Sequence, residues 1–86
     1  MRTINESTRF RRDYGRERRG IHARHLDRLL EEALTMLAKD VPLPRRYFDH
    51  PLGYDWRDFR DCHLRGDLAL IYRKVGNHTL ELAPLG

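Results

Sequence analysis

Pro42 and Pro44 divide the 86-residue chain near its middle, and the apolar pattern differs on their two sides. Before them, Leu26, Leu29, Leu30, Ala33, Leu34 and Leu37 recur at intervals of three and four, the period of a helix with one apolar face. After them the period falls to two. Trp56–Leu64 alternates, Asp67–Lys74 holds the continuous run LALIY, and Thr79–Ala83 alternates again. Proline lacks an amide donor and clashes with the preceding turn, so the leucine helix must stop there. Helices come first and strands second, which predicts an α+β fold.

The helical half predicts two elements. Arg2–Asn5 is expected to be a short strand. Ser7 or Thr8 can then cap a first helix, on which Phe10 and Tyr14 share a face, and Gly20 ends it. The leucine helix is expected from about His22 to Lys39, and an irregular loop from Val41 to Asp55 follows. In the strand half, Arg65-Gly66 and Gly76-Asn77 have the chemistry of tight hairpin turns. The expected molecule is one domain over residues 1–86. An N-terminal helical hairpin packs on a small, mostly antiparallel sheet of three or four strands.

Charge is unevenly placed. Residues 1–25 carry eight arginines against Glu6, Asp13 and Glu17, a net +5, while the remaining residues sum to −1. Arginine pairs with phosphate through two parallel hydrogen bonds, although such a run is also what a solvated helix face looks like. A lone cysteine, Cys62, excludes an internal disulfide and reads as a small core residue. No apolar stretch at the N-terminus suits a signal peptide, and the longest apolar run, Leu68–Tyr72, is far too short for a membrane helix. The expected location is cytoplasmic.

Asp49–His63 breaks with this basic background by gathering four aspartates and two histidines in fifteen residues. On a strand, Asp61 and His63 share one face about 6.5–7 Å apart, and Cys62 and Leu64 share the other. Asp67 is expected to open the next strand and His50 to approach from the loop, so the four converge at one end of the sheet. That set suits cleavage of RNA by its own 2′-hydroxyl, which needs a base, an acid and cations on the phosphate, but no metal or cofactor. Spacing alone leaves a non-functional reading of His50 and His63 open. A zinc site from His50, Cys62, His63 and Asp67 is disfavoured, because Cys62 points away from His63 and no paired-ligand spacing occurs. His22 and His25 are expected at the solvated start of a helix, and His78 beside a turn. Few aromatics are available to stack on bases.

The run DHPLGYDWRDFRDCHLRGDLALIYR, Asp49 to Arg73, resembles the YafQ branch of the RelE/ParE superfamily of bacterial toxins. The shared pattern is Asp-His-Pro-Leu, a tryptophan four residues later, Arg-Asp-x-His, then an aspartate followed by Leu-Ile-Tyr. The leucine helix and the Pro-Leu-Pro at 42–44 match in order. The resemblance implies a RelE-like fold and the toxin of a type II toxin–antitoxin system. It also implies a ribosome-dependent mRNA endonuclease, with catalytic residues mapping onto His50, Asp61, His63 and Asp67. Arg9, Arg12, Arg16, Arg60 and Arg73 are the candidate RNA-binding residues. Implied partners are a cognate antitoxin and the 70S ribosome with its mRNA, with no metal and no membrane. Relatives carry an arginine where Pro84 stands and often a tryptophan where Leu68 stands, and they continue into a further histidine and an aromatic. This chain is therefore expected to fold but to be inactive or strongly impaired. The competing expectation is a non-catalytic module of the same fold, either a ParE-like topoisomerase inhibitor or a partner that only engages an antitoxin.

Overall fold

The structure, a computed structural model, describes residues 1–86. In chain order it comprises β1 (Thr3–Glu6), α1 (Thr8–Glu17), α2 (Leu26–Ala38), β2 (His50–Pro51), β3 (Arg60–Arg65), β4 (Leu68–Val75) and β5 (Thr79–Leu85). Single-turn 3-10 helices at Arg45–Tyr47 and Tyr54–Trp56 flank β2. The strands form one sheet in the order β1-β5-β4-β3-β2, with β1 parallel to β5 and every other pair antiparallel. The α+β class, the helical hairpin, the meander and the added N-terminal strand are as expected. The fifth strand, β2, is two residues long and lies inside what reads as loop.

Alternation decides which face of the sheet is covered. Cys62 and Leu64 from β3, Leu68, Leu70 and Tyr72 from β4, and Leu80, Leu82 and Leu85 from β5 are all buried in one cluster with the helices. Phe10 of α1, Leu26, Leu29, Leu30, Ala33, Leu37 and Ala38 of α2, and Tyr47 complete it. Each fully buried leucine contributes roughly 1.5–3 kcal/mol, so this seam carries the fold. The opposite face, with Asp61, His63, Ala69, Ile71, Arg73 and Glu81, is only partly covered.

Ser7 caps α1 as anticipated, its hydroxyl accepting the Phe10 amide at 3.0 Å. Beyond the last β1–β5 pair, Glu6 with Leu82, α1 takes over contact with β5. There the buried Asp13 carboxylate accepts the Leu85 amide at 3.1 Å. The same carboxylate draws in Arg16 at 3.1 Å and Arg9 at 3.5 Å. The Tyr14 hydroxyl donates to Asp27 and ties α1 to α2.

Several boundaries differ from the expected ones: α1 ends at Glu17, not Gly20, β5 runs past Ala83 to Leu85, and three others have local causes. Helix α2 starts at Leu26, not His22, because Ile21 is exposed and the preceding residues close turn bonds such as His25 N–H to the His22 carbonyl. Strand β3 starts at Arg60, not Trp56. The Trp56 amide donates back to Gly53 and the Phe59 amide to Trp56, which curls the segment and packs the Trp56 and Phe59 rings 5.0 Å apart. The first hairpin turns at Gly66-Asp67, one residue late, after a register shift between His63 and Arg65. Asp67 therefore sits on the turn instead of opening β4.

Candidate active site

Two strands bring the predicted site together. On β3, Asp61 and His63 face away from the core, the reverse of Cys62 and Leu64. Strand β2 pairs with β3 so that His50 lies opposite Asp61. His50 is fixed there by its neighbour, since the Asp49 carboxylate accepts the Tyr72 hydroxyl at 2.6 Å and the Arg60 guanidinium at 3.2 Å. Burial, reinforced by Asp49, holds the Tyr72 phenol well above its usual range, so it remains a donor.

His50 Nε2 and His63 Nε2 lie 3.6 and 3.7 Å from the same atom, Asp61 Oδ2. The two rings are 6.4 Å apart and nearly parallel. Each Nδ1 faces a main-chain carbonyl, that of Phe48 at 2.7 Å for His50 and that of Gly66 at 3.4 Å for His63. A carbonyl can only accept, so Nδ1 keeps its hydrogen and proton exchange is directed to Nε2. Asp61 Oδ1 is buried without a protein hydrogen-bond partner. Buried polar atoms are almost always satisfied, so the second oxygen of the carboxylate that both imidazoles approach is free to accept a hydrogen bond from a ligand donor.

Asp67 does not join this cluster through its side chain. Its carboxylate lies 2.8 Å from His22 Nε2, in a contact too poorly aligned to be a hydrogen bond. The late turn moves Asp67 off the strand face, and the α1–α2 connection supplies the histidine. His22 is accordingly half-buried, not solvated, whereas His25 is exposed and His78 lies in the second hairpin turn, as expected.

The candidate arginines separate into three groups. Arg9 and Arg16, held by Asp13, line a groove of about 310 Å³ that reaches Asp61, Ala69 and Ile71. Arg12 is exposed on the same helix. Arg60 points to the core side of β3 and is engaged by Asp49, while Arg73 pairs with Glu81 and covers the Phe59 ring at 4.7 Å. Sequence reasoning missed Asp13 and Asp49, which position the arginines and His50. It also missed Phe48, an exposed ring edge-on to both imidazoles. Cys62 is fully buried, and burial chiefly, with Asp49 and Asp61 nearby, pushes its thiol up to about 12, which makes it an inert core residue. No three histidine, cysteine or acidic side chains are arranged to hold a metal ion.

Comparison with known proteins gives one answer. The family model described as the bacterial toxin of type II toxin–antitoxin system, YafQ, matches residues 2–86. The mRNA interferase toxin YafQ of Escherichia coli is 33% identical over 72 residues, which cover 81% of this chain and 78% of that protein. Across the curated relatives, the aligned segments span from 42% to 78% of the relative's length. Among solved structures, a copper-bound mutant toxin from Helicobacter pylori superposes with a TM-score of 0.86 at 32% identity, covering all of this chain and 93% of that one. The Escherichia coli DinJ-YafQ complex superposes with a TM-score of 0.78 at 31% identity, covering all of this chain and 92% of the matched one. The match runs through both halves of the molecule, helices and sheet alike, and on that ground the chain belongs to the YafQ family of type II toxin–antitoxin toxins.

Proposed function

We propose that this toxin is an endoribonuclease that cuts mRNA on translating ribosomes, in the cytoplasm, and is held inactive by a cognate antitoxin. The observation that carries the reading is the pair of imidazoles whose Nε2 atoms share Asp61 Oδ2 while both Nδ1 atoms rest on carbonyls. The pair can supply both proton transfers of a transphosphorylation. A neutral imidazole takes the 2′-hydroxyl proton as the 2′ oxygen bonds to phosphorus. The P–O5′ bond breaks, and the other imidazole, protonated, delivers its proton to the departing 5′ oxygen. The products are a 2′,3′-cyclic phosphate and a 5′-hydroxyl, and no metal is needed for the balance. Asp61 holds the imidazolium, and Arg9 and Arg16 in the adjoining groove offset the charge that builds on the phosphate. Asp67 belongs to the set by family resemblance, and it enters the reaction only by exchanging His22 for substrate.

The Escherichia coli relative is named an mRNA interferase, and its solved complex with DinJ supports an antitoxin as partner here. The test adds purified toxin, stripped of metal by a chelator and dialysed, to ribosomes translating a defined message. Cleavage inside the message, leaving cyclic-phosphate ends, is the expected result. An intact message together with inhibition of a DNA topoisomerase would replace this reading with the ParE-like one. Recovery of cleavage only after a transition metal is returned would overturn the metal-free mechanism.

A further inference from the structure

Phe48 is a side chain that stands beside both imidazoles and that the proposed chemistry leaves unused. It is 73% exposed, yet its backbone sits in the left-handed region at φ 51 and ψ 40. Bulky residues are rare there, and a chain selected only for stability would place glycine or asparagine at such a position. Strain of this kind concentrates at functional sites. The ring lies edge-on to His50 at 6.0 Å and to His63 at 6.2 Å, within the range of aromatic contact. It also lines a cavity of about 400 Å³ together with His63. Leu29, Tyr47 and Leu64 give that cavity an apolar floor, and Arg46 and Arg65 stand at it. Glu32, its acidic group, is drawn toward Arg28 at 3.2 Å.

We propose that this cavity is a nucleobase subsite, in which Phe48 stacks one unpaired base of the RNA strand next to the scissile phosphate. The inference rests on the reading that this face handles RNA, and it adds the group that positions the strand. An apolar floor, a largely exposed aromatic ring and two guanidinium groups match an unstacked base with its flanking phosphates. The arrangement also gives the strand a path. The base enters beside Phe48, the phosphate between it and the next nucleotide lies at the imidazoles, and the strand continues into the groove of Arg9 and Arg16 on the other side of Asp61. Phe48 is a positioning residue here, since it touches the base and the imidazoles but not the reacting bonds.

The experiment uses a short single-stranded RNA, blocked by a 2′-methoxy group at the cut site and carrying the fluorescent base 2-aminopurine on one side of it. The parent protein should quench the fluorescence. Phe48→Ala should weaken binding roughly 5- to 150-fold, the range for losing one base–aromatic stack. Phe48→Trp should restore it. The same RNA with that nucleotide made abasic should bind the parent and Phe48→Ala equally, which separates stacking from support of the imidazoles. Phe48→Gly should lose the quench without losing thermal stability, because glycine accepts the left-handed backbone. Absence of quenching by the parent, or a Phe48→Ala loss that persists on the abasic RNA, overturns the inference. Message cleavage by the parent on ribosomes, measured in parallel, shows whether the nuclease reading stands when the subsite fails.

Discussion

His50 and His63 reach their positions by different routes, and this decides what replacing them does. Each holds Nδ1 on a carbonyl and presents Nε2 to Asp61, so neither supports the core. His50→Ala and His63→Ala should each slow cleavage by a factor of roughly 10²–10⁴, the usual range for an acid–base group. That is about 3–5 kcal/mol of barrier. Thermal stability and antitoxin binding should survive, and activity within a few-fold of the parent would refute the assigned roles. Asp61 and His63 were legible because strand alternation is strict. His50 was expected to approach from a loop, and its two-residue strand was not legible, since nothing in periodicity reveals so short an element. Asp67 was assigned to the wrong company because a register shift of one residue moved it onto a turn, where a histidine from the helical hairpin meets it. Phe48 was invisible. Its exposure and left-handed backbone follow from the 3-10 turn that Pro44 starts, and no pattern of residue types reports that.

At the scale of elements, helix α1 depends on one buried acid. Asp13 satisfies the Leu85 amide where β1 no longer pairs with β5, and in doing so it sets Arg9 and Arg16 at the groove. Asp13→Ala should destabilise the fold by about 1–3 kcal/mol, the cost of leaving a buried donor unpaired. It should also weaken RNA binding through the two freed arginines, whereas Arg9→Ala should affect binding alone. Chemical denaturation of both variants checks the split, and equal stability loss from the two would contradict it. The end of α2 is tied differently. Asp40, just past the helix, accepts from Lys74 and from Arg2, each at 2.8 Å, and these contacts hold its carboxyl at about 2, below the ordinary 3.8. A depressed carboxylate stabilises the folded state above its unfolded value and loses that contribution as pH falls through the folded value. Asp40→Asn should therefore lower Tm near neutral pH, with the gap closing between about pH 4 and pH 2. A gap of constant size over that range would remove Asp40 from the account. The helices and strands themselves were legible from apolar period, and their ends were not. Turn hydrogen bonds before Leu26 and after Gly53 set those ends, and residue type alone does not encode them.

For the molecule as a whole, the question is what the net +5 of residues 1–25 becomes once the chain folds. Arg2 is tied to Asp40 and to the carbonyls of Gly76 and Thr79, while Arg9 and Arg16 are drawn to Asp13, an acid that the +5 already counts. Arg12, Arg19 and Arg24 stay exposed on α1 and the connection after it. Internal pairing orients the guanidiniums without cancelling the net charge of the segment, so the α1 side of the molecule remains positive. An acidic antitoxin segment and the phosphates of a message would then compete for one surface, which is how an antitoxin could silence the toxin without touching the imidazoles. Surface charges are screened over about 8–10 Å at physiological ionic strength. Antitoxin association should accordingly slow as salt rises from about 50 to about 300 mM, with a smaller change in dissociation. Arg12→Glu combined with Arg19→Glu should reproduce that slowing at low salt and weaken message binding with it, while leaving the geometry of the two imidazoles unchanged. Stopped-flow binding on the parent and the double variant measures both effects. An association rate indifferent to salt and to the two reversals would place the antitoxin on an uncharged surface, and the basic segment would then serve RNA alone.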